Sequence, residues 1–386
     1  MRRKFGPGME CQARVGKVRS AMEKDNIDAL LVYSDAWDRA STYYLSGYNV
    51  VGPHALMILP KKGEASLLIS TQWDLDRARE QTSFSNIKAS DNFPRECRQI
   101  LASLGLQASN IGIIGLRRMN ALLYEAFKKE LSKATFKDVA GILNDFMMVK
   151  SDEEIALMKK ASEIGDAAVE AAVDIVKVGM KEYELLAEIE YVVRSKGAED
   201  DFSLLGTAPN GVGEIANEHP PTRREIKKGD FIALEVSPFY KGYLIQKVRN
   251  IVIGPITKDI EASYDLYFKA YEKGIETAKE GVPCSEVARA MDEVIISAGY
   301  ADYCRPPYFR VRGHGVGLGL LGVPPGSLIK GNETKLRSGA TLAIHPSQFL
   351  PTKEGVMMYR TIGDTFVIRM EKAEPLTKLE PRIYSA

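Results

Sequence analysis

Two stretches, Gly229-Asp-Phe-Ile-Ala-Leu-Glu-Val-Ser237 and Gly339-Ala-Thr-Leu-Ala-Ile-His-Pro-Ser347, decide the fold. Gly, Ala and Ser recur at matching places with apolar residues between them, so each reads as a tight turn feeding a strand. Period-2 alternation puts Phe231, Ala233 and Glu235 on one strand face, and Thr341, Ala343 and His345 on the corresponding face of the other. A duplicated half-domain with Glu235 and His345 at equivalent strand ends predicts a cleft on a pseudo-two-fold axis.

Outward from the repeat, Ser151 and Glu154 form a capping box ahead of a long amphipathic helix to about Val176, and a second helix spans Glu182 to Arg194. Further helices are expected near Ile260 to Lys279 and Ser285 to Ala298, grouped away from the strands, so residues 149–386 read as an α+β domain. Residues 1–148 alternate helix and strand patterns: a stripe of Val15, Val18 and Met22, then the apolar runs Ala29 to Val32, Ala55 to Leu59 and Ile111 to Gly115. They read as a separate α/β domain with five or six strands, in which Trp37 and Trp73 are expected to pack the core.

The chain has 386 residues, and 52 Lys+Arg balance 51 Asp+Glu, which suits two ordinary globular domains. Without clustered basic residues a nucleic-acid partner is excluded. The longest apolar stretches fall far short of the roughly 18 residues that span a bilayer, so no membrane association is expected. The basic N-terminus lacks an apolar segment behind it, which points to the cytoplasm. Cys11, Cys97, Cys284 and Cys304 are spaced for neither a disulfide scaffold nor a zinc knuckle and read as reduced, mostly buried thiols.

The last three of the four histidines, His219, His314 and His345, all sit beside Gly or Pro. His314 lies in Arg310-Val-Arg-Gly-His-Gly-Val-Gly-Leu-Gly319, where backbone approaches a ligand closely, and His219 precedes a Pro pair that forces extended chain. Gly317-Leu-Gly-Leu-Leu-Gly322 satisfies a dinucleotide-site expression, but Val323-Pro-Pro-Gly326 follows at once and forbids the helix that such a site requires.

These strings, with His219-Pro-Pro-Thr-Arg, Lys228-Gly-Asp-Phe-Ile-Ala-Leu, Tyr240-Lys-Gly-Tyr243 and Gly363-Asp-Thr-Phe-Val-Ile368, resemble the creatinase, prolidase and aminopeptidase P family along nearly the whole length. The resemblance implies a pita-bread catalytic domain behind a creatinase-type N-terminal domain, and a homodimer in which the N-terminal domain helps close the neighbour's site. It also implies two divalent metals held by two Asp, one His and two Glu. Those positions fall on Glu235, Gln246, His314, His345 and Gly363, or with shifted gaps Ile362 or Tyr359, so only His314 is unchanged. One formal negative charge in place of four does not suit two hard cations. Asp364 could replace the last Glu only if its strand shifted by one residue.

The expectation is therefore a metal-independent, creatinase-like hydrolase of a small C–N compound, with no cofactor. His219 is its general acid/base, Glu235 orients water or a cationic group, and His314 and His345 bind or polarise substrate. Arg310, Arg312 and Arg360, with Tyr359, are candidate binders of a substrate carboxylate. His54 could reach a neighbouring subunit's cleft. Alternatives are a mononuclear metal site of His314, His345 and Glu235 serving a hydrolase or lyase, an Xaa-Pro peptidase-like protein, and a catalytically inactive binding protein. Specificity is expected in the loops Leu204 to Ala216 and Leu320 to Leu328.

Overall fold

The computed structural model describes residues 8–213 and 216–386; Arg2, Arg3 and Lys4 of the basic N-terminus, and Glu214 and Ile215 of the first specificity loop, lie outside the described residues. The chain divides into two compact units, Met1–Met147 and Met148–Ala386.

The first unit is built on a mixed six-stranded sheet of β1 (Ala29–Asp35), β2 (His54–Pro60), β3 (Ser66–Ile69), β4 (Asn86–Ala89), β5 (Asn110–Ile114) and β6 (Thr135–Asp138), in the order β4-β3-β2-β1-β5-β6. Leu31, Ile58 and Ile113 pack on one face against Phe93, Leu101 and Phe127 of the helices Phe93–Ser103 and Ala121–Glu130. The stripe of Val15, Val18 and Met22 is buried on helix Gly8–Lys24. The two tryptophans depart from expectation: Trp37 and Trp73 are 91% and 73% exposed. Aliphatic side chains already fill the sheet, and both indoles stand on short connections beyond the strand ends.

The second unit is duplicated. Its strands are β7 (Asp200–Asp201), β8 (Leu204–Pro209), β9 (Asp230–Val236), β10 (Pro238–Tyr240), β11 (Tyr243–Leu244), β12 (Lys247–Val252), β13 (Gly313–Gly317), β14 (Gly319–Ser327), β15 (Thr341–Ile344), β16 (Gln348–Pro351), β17 (Met357–Arg360), β18 (Asp364–Ile368), β19 (Ala373–Pro375) and β20 (Tyr384–Ser385). One sheet runs β20-β12-β9-β8 and the other β14-β13-β15-β18-β19, so the two repeated stretches, β9 and β15, are interior strands of equivalent sheets. The stretch read as a decoy nucleotide loop is strand rather than helix N-terminus, and much of both proposed specificity loops is strand β8 or β14.

Each sheet lies on a helix pair. The capping box at Ser151 starts helix Asp152–Ile175, with both reciprocal hydrogen bonds formed. Its Ile164, Ala168 and Ala172, with Leu185, Ile189 and Val193 of helix Glu182–Ser195, cover Ile232, Leu234 and Val236 of β9. Tyr264, Tyr267 and Tyr271 of helix Lys258–Thr277, with Val287, Met291 and Ile295 of helix Cys284–Ser297, cover Leu342 and Ile344 of β15. Because strand side chains alternate, burying these sets against helices turns Glu235 and His345 to the opposite face. The two sheets meet where Val248 and Gly363 exchange backbone hydrogen bonds of 3.0 and 3.1 Å.

Cys11, Cys97 and Cys284 are buried, Cys304 is half-buried, and all four are unpaired thiols. Among the described residues no helix is long and apolar enough to cross a membrane.

Candidate active site

A row of strand ends crosses both sheets. Glu235 on β9 lies opposite Val248 on β12, Val248 bridges to Gly363, Gly363 abuts His345, and His314 on β13 pairs with Ala343 beside it. The rings of His314 and His345 stand edge to face with centroids 5.7 Å apart. This row of strand ends carries Glu235, His314 and His345, of which Glu235 and His345 occupy the equivalent positions of the repeat.

His219 stands on the loop between β8 and β9, beside Gly206, two residues along β8 from Leu204, the register partner of Glu235. Its backbone carbonyl accepts from the Leu205 N–H at 3.1 Å, and its imidazole rests on Gly206, where an added Cβ would lie 2.7 Å from Nε2. The same loop is pinned by Glu182, a buried carboxylate that accepts from the backbone and hydroxyl of both Thr207 and Thr222 at 2.6 to 3.0 Å. Burial opposes ionisation of Glu182, but those hydrogen bonds outweigh it and hold its pKa below the usual range.

The electrostatics follow from enclosure. Burial, reinforced by the charge of Glu218, pushes the Glu235 carboxyl from 4.5 up to about 7, against the opposing influence of Gln246, Ser237 and Arg310. Burial, with the nearby His314, Arg310 and Arg312, pushes His345 down to about 3, and burial lowers His314 as well. Both of these imidazoles are therefore neutral near pH 7. Nδ1 of His219 lies 2.8 Å from the Pro220 carbonyl and Nδ1 of His314 lies 3.1 Å from the Gly315 carbonyl, so each Nδ1 is the donor and in the neutral ring Nε2 is the acceptor.

The remaining candidates separate. Arg312 is fully buried and its guanidinium is committed to Asp292 at 2.7 Å and Gln348 at 3.0 Å. Arg360 donates to the Asn210 and Tyr359 carbonyls and stacks 3.9 Å from the Phe231 ring centroid. Both are structural, which corrects their assignment to substrate. Arg310 has no carboxylate partner among the described residues; it lies 5.3 Å over the Tyr359 ring, and its charge is felt at Glu235 and His345. Tyr359 is also corrected: it is 1% exposed, and its hydroxyl donates to Glu218 at 2.6 Å. His54 packs edge to face on Phe93 at 4.9 Å and stacks by Tyr33, a packing role inside its own domain. Glu218, Gly206 and Glu182 were not singled out from sequence. An isolated Gly within a strand pattern is a signal of close approach, and it marks Gly206.

Residues 156–372 match the model of metallopeptidase family M24, and residues 14–149 match the creatinase/prolidase N-terminal domain. The chain belongs to metallopeptidase family M24. Its fold is the family's pita-bread domain behind a creatinase-type N-terminal domain. An Xaa-Pro dipeptidase of Pyrococcus horikoshii is 29% identical over 95% of this chain and 97% of its own length. The crystal structure of the prolidase from that organism superposes with a TM-score of 0.81 at 26% identity, covering 96% of this chain and 99% of that one. An X-Pro aminopeptidase from Thermotoga maritima, at 22% identity, shares the fold with a TM-score of 0.84.

These relatives overturn the expectation of a metal-independent, creatinase-like hydrolase of non-peptide C–N bonds: full-length similarity runs to Xaa-Pro dipeptidases of a metallopeptidase family. The hydrolase class stands, and the bond cleaved by the relatives is a peptide bond. The family's two-metal centre is nevertheless not reproduced by the donors on this chain. Among the described residues no group of three or more His, Cys, Asp or Glu side chains is placed to hold a metal ion, which also removes the His314, His345 and Glu235 mononuclear alternative. At Gly363 an added Cβ would lie 2.5 Å from His345 Cβ and 2.6 Å from Val248 Cγ2, so no glutamate fits there. Asp364 does not substitute: it pairs in register with Ile344, and its buried carboxylate binds Arg249, Lys247 and Tyr271 away from the cleft.

Proposed function

We propose that the chain is a dipeptidase acting on small Xaa-Pro substrates, working as a homodimer in the cytoplasm. The observation that supports it most is the similarity to Xaa-Pro dipeptidases over nearly the whole of both chains, with Arg310, whose charge is felt at Glu235 and His345, as a cation without a carboxylate partner among the described residues. A guanidinium free of internal carboxylates suits the terminal carboxylate of a dipeptide through paired hydrogen bonds.

The residues take complementary parts. Nε2 of His219 accepts a proton from water as its oxygen attacks the scissile carbonyl, and returns that proton to the departing proline nitrogen as the C–N bond breaks. Glu235, protonated below its raised pKa of about 7, donates a hydrogen bond to the carbonyl oxygen as negative charge develops there. His314 and His345, both neutral, accept hydrogen bonds that orient the substrate. No step is assigned to the family's divalent ions, because the donor set does not fit them.

The test is release of free proline from Ala-Pro by purified protein, measured with and without added Mn2+ or Co2+. Turnover that falls sharply in His219→Ala is the expected result. Absence of proline release in every condition overturns the proposal. Sedimentation at micromolar concentration is expected to give twice the chain mass, and a monomer would remove the dimer from this reading.

A further inference from the structure

Gln348 on β16 is fully buried, and both ends of its side-chain amide are used. Its Oε1 accepts from Nη1 of Arg312 at 3.0 Å. Its Nε2 donates to the Tyr308 carbonyl at 3.1 Å, the Tyr303 carbonyl at 3.3 Å and the Phe349 carbonyl at 3.2 Å. The Gln348 backbone carbonyl in turn accepts from the Tyr267 hydroxyl at 3.2 Å, which ties this point of β16 to helix Lys258–Thr277. A guanidinium only donates and a carbonyl only accepts, so the two sides ask opposite functions of one side chain. A primary amide supplies both, whereas a carboxylate would serve Arg312 and turn negative charge on the carbonyls.

The two gripped points bracket Arg310. Tyr308 lies two residues before it and Arg312 two residues after, and residues 305–308 are otherwise exposed. Arg310 itself makes no hydrogen bond among the described residues, so its place is set by these flanks and by the rings beneath it. Those rings are Phe349, which follows Gln348 and lies 6.0 Å from the guanidinium, and Tyr359, the partner of Phe349 across β16 and β17, at 5.3 Å. We propose that Gln348 is the positioning residue for Arg310, fixing where the site receives the carboxylate of the substrate. This rests on the dipeptidase reading, which gives Arg310 that carboxylate, and adds the residue through which the contact is aimed. A guanidinium held in place before binding loses less freedom when it engages its ligand, and the saving appears as affinity.

The test is a double-mutant cycle between Gln348→Glu and Arg310→Ala, read by steady-state proline release from Ala-Pro and by calorimetric titration with Ala-Pro and with Ala-Pro-amide, which lacks the carboxylate. Gln348→Glu keeps an acceptor for Arg312 and loses the donors to Tyr303 and Tyr308. It is expected to raise KM and Kd for Ala-Pro by about tenfold, with a smaller change in kcat, and to leave Kd for Ala-Pro-amide unchanged. A general loosening of the site would weaken both peptides alike. Arg310→Ala is expected to lose at least as much for Ala-Pro, and adding Gln348→Glu to it is expected to cost nothing further, because the effect runs through Arg310. Gln348→Met, in which Arg312 keeps Asp292, carries the same comparison should the glutamate variant not fold. Undiminished Ala-Pro binding in the Gln348 variants, equal weakening of both peptides, or additive losses in the double variant overturns the positioning role while leaving the dipeptidase reading intact. The expected pattern of binding without any proline release overturns the dipeptidase reading and leaves the positioning role standing. Unchanged Ala-Pro binding in Arg310→Ala removes both the carboxylate contact and its positioning.

Discussion

Replacing Gly206 by Ala tests whether the floor under His219 sets the reaction. The position is an ordinary strand conformation on β8, so alanine adopts the backbone without strain, and the effect comes from space alone. The new methyl would lie 2.1 Å from the Asn217 carbonyl oxygen, 2.7 Å from His219 Nε2 and 2.8 Å from its Cδ2. To regain van der Waals contact the carbonyl must retreat by about 1 Å and the imidazole by a little less, in an interior packed too densely to absorb the shift freely. Overpacking of this kind costs about 1–3 kcal/mol of stability. A misplacement of about 1 Å at a proton-transfer group costs on the order of 100-fold in rate. The assay is kcat/KM for proline release from Ala-Pro alongside urea denaturation, so that loss of rate is read only on folded protein. A folded variant with kcat/KM within about threefold of wild type would show that the position of the His219 ring does not govern turnover.

Two further outcomes follow from the half-buried Glu235 and the buried Asp364. Since Glu235 has its pKa raised from 4.5 to about 7 in the folded chain, the folded state holds a proton that the unfolded state releases; stability therefore falls as pH rises through that window and stays reduced above it. Glu235→Gln is expected to be more stable than wild type at pH 8, by up to about 3 kcal/mol, and to lose the decline in activity above pH 7; equal denaturation midpoints at pH 8 would contradict the sign. For Asp364, burial alone would raise the carboxyl, but Arg249 and Lys247, with hydrogen bonds from Lys247 and Tyr271, outweigh it and hold the pKa below 3.8. Its contribution is present above the unfolded carboxyl range and is lost as pH falls through the lowered value. Asp364→Asn leaves two buried cations short of an anion and is expected to cost about 3–5 kcal/mol near neutrality in chemical denaturation, with a loss below about 1 kcal/mol contradicting the network.

The repeated Gly-to-Ser stretches were enough to place Glu235 and His345 at equivalent strand ends, because alternation and a buried helix-facing side fix which face each residue takes. The glycines and prolines around His314 and His219 marked backbone that must approach a ligand. What sequence could not supply was commitment. Arg310, Arg312 and Arg360 look alike in a string, and only the fold shows that Asp292 and Gln348 consume Arg312, and that Asn210 and Phe231 hold Arg360. Glu218 escaped notice for the same reason in reverse: a charged neighbour of His219 reads as solvated until its free oxygen is found enclosed. Trp37 and Trp73 misled through size, since large aromatics usually bury. The hydrolase class stands, and the bond was misread for another reason. Loss of family donors at Gln246 and Gly363 describes what the cleft does not hold, and it was taken to identify the bond cleaved.

The paired hydrogen bonds between Val248 and Gly363 have a consequence for how the molecule breathes. Both carbonyls are also capped by Nη1 of Arg249 at 2.9 Å, so the seam between the two half-domains is braced from below as well as along its length. Parting the halves would take both the Gly363 carbonyl and the Asp364 carboxylate from a buried guanidinium at once, which sets local opening there close in cost to opening the whole unit. The floor of the cleft thus behaves as a fixed anvil. Admission of substrate and departure of product fall to the surrounding loops, and the seam's amides belong with those that meet solvent last.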